Sequence, residues 1–259
     1  MAVLVVAAGV LGLLVGSFLN VVIHRVPRGE SVVRPPSRCP GCGEEIRARH
    51  NVPVFGWLVL RGRCANCGSR ISVRYPLVEL GTGVLFALLA LRLDPPDLPA
   101  YLYFGAIGIA LALIDLDCRR LPDAIVLPSY PVLAVLLTAS AWYRDDWWAL
   151  ARAGIGGAAL FGFYLLLALV YPRGMGFGDV KLAGLLGGVL GYLSWTALLL
   201  GAFGGFLLGA VAGVVVLAAG KGDRKTALPF GPFMIAAALL AVFVADPLGR
   251  AYRELAGLA

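Results

Sequence analysis

Hydrophobic positions in this chain fall in long unbroken runs, not in the narrow stripes of a water-soluble helix. They cover residues 2 to 23, 76 to 92, 98 to 114, 124 to 142, 151 to 171, 180 to 193, 195 to 219 and 228 to 246. An α-helix rises about 1.5 Å per residue, so roughly 20 apolar residues cross a hydrocarbon layer about 30 Å thick. The pattern predicts an all-α polytopic membrane protein with about eight transmembrane helices. The first run has no Lys or Arg before it, has Arg25 and Arg28 behind it, and lacks a small-residue cleavage site. It reads as a retained helix with its N-terminus outside, not as a removable signal. Three segments follow: a first helix at 1–23, a polar insert at 24–75, and a multi-helix membrane domain at 76–259.

Composition and charge sharpen this picture. At 60% hydrophobic and 14% charged residues, with mean hydropathy +0.86, the chain is too apolar for a water-soluble domain. The net charge of +7 is concentrated in the insert, where ten Arg face three Glu. Such a patch suits nucleic acid, anionic lipid or membrane topology. Because it lies between two spans, topology and contact with the bilayer are the preferred reading, and no nucleic-acid partner is expected. Eight spans starting outside leave 24–75, 115–123, 172–181 and 220–227 inside, and 17 of the 22 Lys and Arg fall in those loops. Gly12 and Gly16 in the first helix, and Gly201, Gly205, Gly209 and Gly213 in the seventh run, mark helix faces suited to close packing.

Four of the five cysteines form two pairs in the insert, Cys39-Pro-Gly-Cys42 and Cys64-Ala-Asn-Cys67, separated by 21 residues. A cytosolic Arg-rich loop lies in a reducing compartment, so metal ligation is favoured over disulfides. Each pair is followed by glycine, Gly43 or Gly68, as in a knuckle that presents two thiolates to one tetrahedral ion. Four Cys ligands close the coordination sphere, so the predicted site is structural zinc, without an open position for catalytic water.

The remaining chemistry lies in two acidic stretches, Ile114 to Asp123 and Gly176 to Lys181. Asp115 follows seventeen uncharged residues, and Asp179 opens an apolar run interrupted only by Lys181. Carboxylates at the ends of membrane helices are costly and point to function. Three readings stay open from the residues alone: an acid–base pair, an ion pathway, and helix-start capping. In a close pair the two carboxyls share a proton, one activating water while the other protonates. Gly176 and Gly178 would allow unusual backbone angles and close approach of a substrate strand to Asp179. Acidic residues at span centres or an internal repeat, which a transporter would favour, are not seen.

Gly16-Ser17-Phe18-Leu19-Asn20, the paired Cys-x-x-Cys motifs, Arg74-Tyr75-Pro76-Leu77-Val78-Glu79, Asp115 to Asp123, Met175-Gly-Phe-Gly-Asp179-Val-Lys181 and Pro229-Phe-Gly-Pro232 run in order through nearly the whole chain. This set resembles the type 4 prepilin leader peptidases, GxGD-type membrane aspartic proteases of the A24 family. The resemblance implies a catalytic pair at Asp115 and Asp179. Asp117, Asp123, Gly176, Gly178, Lys181 and Glu79 are supporting candidates. It implies cleavage of the basic leader from type 4 prepilins and type II secretion pseudopilins at the cytoplasmic face of the inner membrane. It further implies N-methylation of the new N-terminus with S-adenosyl-L-methionine, and zinc on Cys39, Cys42, Cys64 and Cys67. No glycine-rich nucleotide motif places the methyl donor. The rival from another class is a non-enzymatic membrane assembly or transport protein whose zinc insert binds a cytosolic partner.

Overall fold

The computed structural model describes residues 1–47, 50–172, 175–220 and 228–255. Its elements are α1 (Ala2–Arg25), α2 (Phe55–Val59), α3 (Arg74–Arg92), α4 (Leu98–Cys118), α5 (Asp123–Arg144), α6 (Trp147–Val170), α7 (Phe177–Leu193), α8 (Trp195–Ala218) and α9 (Gly231–Leu255). No named strand occurs among the described residues. The chain forms two compact units, Met1–Ala110 and Leu111–Ala259.

In the first unit α1 packs along α3. The expected small-residue face is used: a Cβ on Gly12 would lie 2.7 Å from the Thr82 carbonyl, and one on Gly16 would lie 2.7 Å from Glu79 Cα. The amide of Asn20 donates to the Tyr75 carbonyl at 3.2 Å, tying the end of α1 to the start of α3. Between these helices the described residues of the insert hold one short α-helix, the five-residue α2, and a single 3-10 turn at Val26–Arg28. The buried carboxylate of Glu79 accepts the Val54 N–H at 2.7 Å. Val54 has φ of 62°, a region a β-branched residue rarely enters, so this bond holds a strained corner of the chain.

In the second unit α7 is the central helix, packed by α5, α6, α8 and α9. Glycines explain how α6 and α7 approach so closely. A Cβ on Gly187 would sit 2.3 Å from the Gly156 carbonyl, and one on Gly191 would sit 2.7 Å from the Arg152 carbonyl. Backbones meet where side chains are missing, as in small-residue membrane interfaces. The far end of α7 is closed by Arg152, whose guanidinium donates to the carbonyls of Gly191 (2.6 Å), Tyr192 and Leu193 (3.0 Å). Carbonyls of a last helical turn have no partner inside the helix, and a cation there also suits the helix dipole.

Several expected boundaries move. Seven helices among the described residues are long and apolar enough to cross a membrane. The eighth expected run, 180 to 193, is part of α7, whose 17 residues span about 26 Å. It is walled by other helices, with Val180 and every residue from Leu182 to Gly187 buried, so a full lipid-matched length is not required of it. The loops expected at 115–123 and 172–181 are shorter than predicted, since α4 runs on to Cys118 and α7 begins at Phe177. Asp115 and Asp179 therefore both sit inside helical turns. The basic loop expected at 220–227 lies, beyond Gly220, outside the described residues, as do residues 48, 49, 173 and 174.

Candidate active site and metal centre

Asp115 lies in the last turn of α4 and is only 5% exposed. Its Oδ2 accepts a hydrogen bond from the Gly231 N–H, at the entry of α9, at 3.1 Å. The approach depends on glycine, because a Cβ at position 231 would lie 2.7 Å from that same oxygen. A free N–H at a helix start is a natural partner for a carboxylate.

Asp179 is the third residue of α7. Its Oδ2 accepts from the Gly176 N–H at 3.1 Å, while its own N–H donates to the Gly176 carbonyl at 3.0 Å. This reciprocal clasp fixes the carboxylate over the first turn of the helix. Asp179 is half-buried, and its carboxyl lies within electrostatic reach of Asp115. The second unit thus brings together two carboxyl groups that are 64 positions apart in the sequence.

The supporting candidates divide. Lys181 pairs with Asp123 at the start of α5, and its ammonium also lies 5.3 Å from the centre of the Phe177 ring. Tyr130 reinforces this join by donating to the Lys181 carbonyl at 2.6 Å. Lys181 and Asp123 are therefore spent on each other, with Lys181 two residues beyond Asp179. Asp117 is exposed. Neither glycine needs special backbone angles: Gly176 has ordinary extended angles (φ −79°, ψ 150°), and neither it nor Gly178 has positive φ. A Cβ on Gly178 would lie 3.2 Å from Leu121 Cβ.

The sequence reading missed the wall of aromatic rings beside this pair. Tyr164 of α6 stacks on Phe206 of α8, with ring centres 5.5 Å apart. Phe206 lies 5.2 Å from Phe230, the residue immediately before Gly231. In sequence these aromatics are lost among other apolar residues; only the Pro-Phe-Gly-Pro context of Phe230 was a usable signal.

In the insert, the two Cys pairs build matching turns. Gly43 N–H donates to the Cys39 carbonyl at 2.8 Å and Gly68 N–H to the Cys64 carbonyl at 3.0 Å, each glycine having φ of 71°. The backbone N–H of the first cysteine in each pair also donates to a return contact, Cys39 to the Glu44 carbonyl and Cys64 to the Ser69 carbonyl, both at 2.9 Å. The four Sγ atoms lie within 4.8 Å of one another, and Cys39 and Cys67 Sγ are 3.8 Å apart. Ligands at about 2.3 Å from a tetrahedral zinc stand about 3.8 Å apart, so the cluster fits that ion. Ser69 Oγ lies 3.1 Å from Cys67 Sγ and 3.5 Å from Cys39 Sγ. Its hydroxyl, together with the backbone N–H groups of Gly41 and Cys42, holds the Cys39 thiol down to about 6, favouring the thiolate that a metal needs.

Two family models match the chain. Residues 10–93 match the bacterial peptidase A24 N-terminal domain, and residues 102–214 match the type IV leader peptidase family. Among similar proteins, the prepilin leader peptidase/N-methyltransferase of Stutzerimonas stutzeri is 37% identical, the alignment covering 98% of this chain and 95% of that protein. The proteins of the same name from Pseudomonas putida (39% identical; 96% of this chain, 94% of the relative) and Neisseria gonorrhoeae (37%; 94% and 92%) align over similar lengths. No solved structure matches the chain.

Proposed function

We propose, because the chain belongs to the type IV leader peptidase family, that it is a multi-pass membrane aspartic endopeptidase that removes the leader from prepilins and pseudopilins and then methylates the new N-terminus. The observation that carries this reading is the convergence of Asp115 and Asp179, each held by a glycine N–H and within electrostatic reach of the other. In the proposed reaction the ionised carboxylate takes a proton from water as the water oxygen bonds to the scissile carbonyl carbon. The C=O π pair moves onto the carbonyl oxygen. The protonated carboxyl then delivers its proton to the amide nitrogen as the C–N bond breaks, which leaves the pair with its roles exchanged and one proton still shared.

Around this chemistry the chain divides by role: a first helix at 1–23, an insert at 24–75 and a protease domain at 76–259. Asp123 and Lys181 act in support by locking the start of α5 to the first turn of α7, and Gly176 and Gly178 by clasping Asp179 and making room beside Leu121. Asp117 lies at the exposed edge, where it is placed to meet a basic leader. In the insert, Cys39, Cys42, Cys64 and Cys67 would hold zinc as a structural ion. The methyl donor is S-adenosyl-L-methionine, supported by the names of the relatives and given no residue assignment. The enzyme is placed in the inner membrane with its N-terminus outside and the aspartates facing the cytoplasm, supported by the distribution of Lys and Arg.

The test is cleavage of a prepilin by protein carrying Asp115→Asn or Asp179→Asn, each reconstituted in lipid. Each substitution keeps shape and removes the acid. Both variants are expected to lose cleavage while folding normally, and near wild-type cleavage by either one sinks the assignment.

A further inference from the structure

The α6–α7 pair is antiparallel, with Gly156 against Gly187, Gly157 against Gly184, and Arg152 against Gly191. Carried two turns further along the same face of α6, that register brings Tyr164 level with Asp179. Tyr164 is 2% exposed, and its charge environment includes Asp179. Its ring is fixed by stacking on Phe206 at 5.5 Å and by Phe230 at 6.3 Å. Phe230 in turn leads into Gly231, whose N–H holds Asp115. The phenol is therefore tied to both halves of the carboxylate pair, yet its hydroxyl makes no hydrogen bond among the described residues.

A tyrosine whose ring is buried and whose hydroxyl has no partner within the protein leaves that donor open to a ligand. An ionisable pair beside it makes this a reaction site, and a rigid ring makes the donor preorganised. We propose that Tyr164 is a further catalytic residue, its hydroxyl donating a hydrogen bond to the carbonyl oxygen of the scissile peptide as that oxygen takes on negative charge. The tyrosine keeps its proton throughout. It stabilises the tetrahedral intermediate, while the aspartates carry out both proton transfers. This proposal rests on the peptidase reading above.

Tyr164→Phe removes one oxygen and keeps the ring stack, so folding is preserved. Loss of a single oxyanion donor typically lowers turnover by about 100- to 1,000-fold. The expected result with a purified prepilin is a kcat lower by that order, with KM and the thermal midpoint of the solubilised protein close to wild type. Tyr164→Leu, which loses the ring as well, is expected to lower the midpoint too and so reports the packing role separately. The proposal is overturned if Tyr164→Phe turns over at the wild-type kcat while Asp179→Asn is inactive, or if it raises KM alone. If Asp115→Asn and Asp179→Asn both cleave normally, the peptidase site itself is wrong and this proposal falls with it.

Discussion

Gly231→Ala is a sharp probe of the site because it leaves every reacting group in place. The added methyl carbon would stand 2.7 Å from Asp115 Oδ2, 3.4 Å from Asp115 Cγ and 3.3 Å from Leu121 Cδ2. Ordinary contact begins near 3.4 Å and real Cβ atoms essentially never approach below 3.0 Å, so the carboxylate must retreat by about 0.3 to 0.7 Å. Its hydrogen bond from the Gly231 N–H, already 3.1 Å long, then passes out of useful range. A hydrogen bond to a charged group contributes roughly 1.5–3 kcal/mol. If that stabilisation is lost from the reactive geometry, the rate falls by about 10- to 150-fold. The assay is kcat/KM for prepilin cleavage in proteoliposomes, with the thermal midpoint measured on the same preparations. Gly213→Ala is the matched control: it makes the same change in α8, where a Cβ meets nothing within 4 Å, and it should behave as wild type. Cleavage by Gly231→Ala within twofold of Gly213→Ala would refute the idea that close backbone approach holds Asp115 in its working position.

Two further outcomes are expected elsewhere in the chain. Replacing Cys39 and Cys42 together by Ser should remove bound zinc, measured by elemental analysis of reduced protein, and abolish methylation while much of the cleavage remains. Equal loss of both activities would count against a division of labour between insert and aspartates. Gly187→Ala forces a methyl carbon to within 2.3 Å of the Gly156 carbonyl, which is backbone and yields little. Overpacking of this kind costs about 1–3 kcal/mol, so the thermal midpoint should fall; an unchanged midpoint would mean that α6 and α7 are not packed backbone to backbone.

The helices were legible in the sequence because each needs only a local run of apolar residues, and the paired cysteines because a knuckle is a local turn with a fixed glycine. Gly12 and Gly16 were readable for the same reason. What the sequence did not reveal is which distant surfaces meet. Gly231 stood out only as part of the Pro229 to Pro232 motif; its partnership with Asp115 is set by how α4 and α9 pack, and no periodicity encodes that. The α6–α7 glycines escaped notice because both helices are apolar around most of their length, with charges only near their ends, so no stripe distinguishes the seam. Tyr164 looks like any other interfacial or buried aromatic until the register against α7 is known. Lys181 and Asp123 could be named as important, yet their pairing required α5 and α7 to be placed side by side.

The matched turns around the four thiols also bear on the chain as a polymer. Joining Cys42 to Cys64 through a single ion closes a loop with 21 residues inside it. By analogy with covalent cross-links, closing a loop of that size removes unfolded-state entropy on the order of 3–5 kcal/mol. The described residues of the insert have little regular helix and few buried side chains to offset the cost of ordering their backbone. If the four thiols hold zinc as proposed, the fold of the insert is conditional on supply: a cell starved of the metal would still insert the hydrophobic helices, but would carry this segment as loose chain. Metal availability would then limit the 52 residues of the insert, out of 259, independent of how much protein is made.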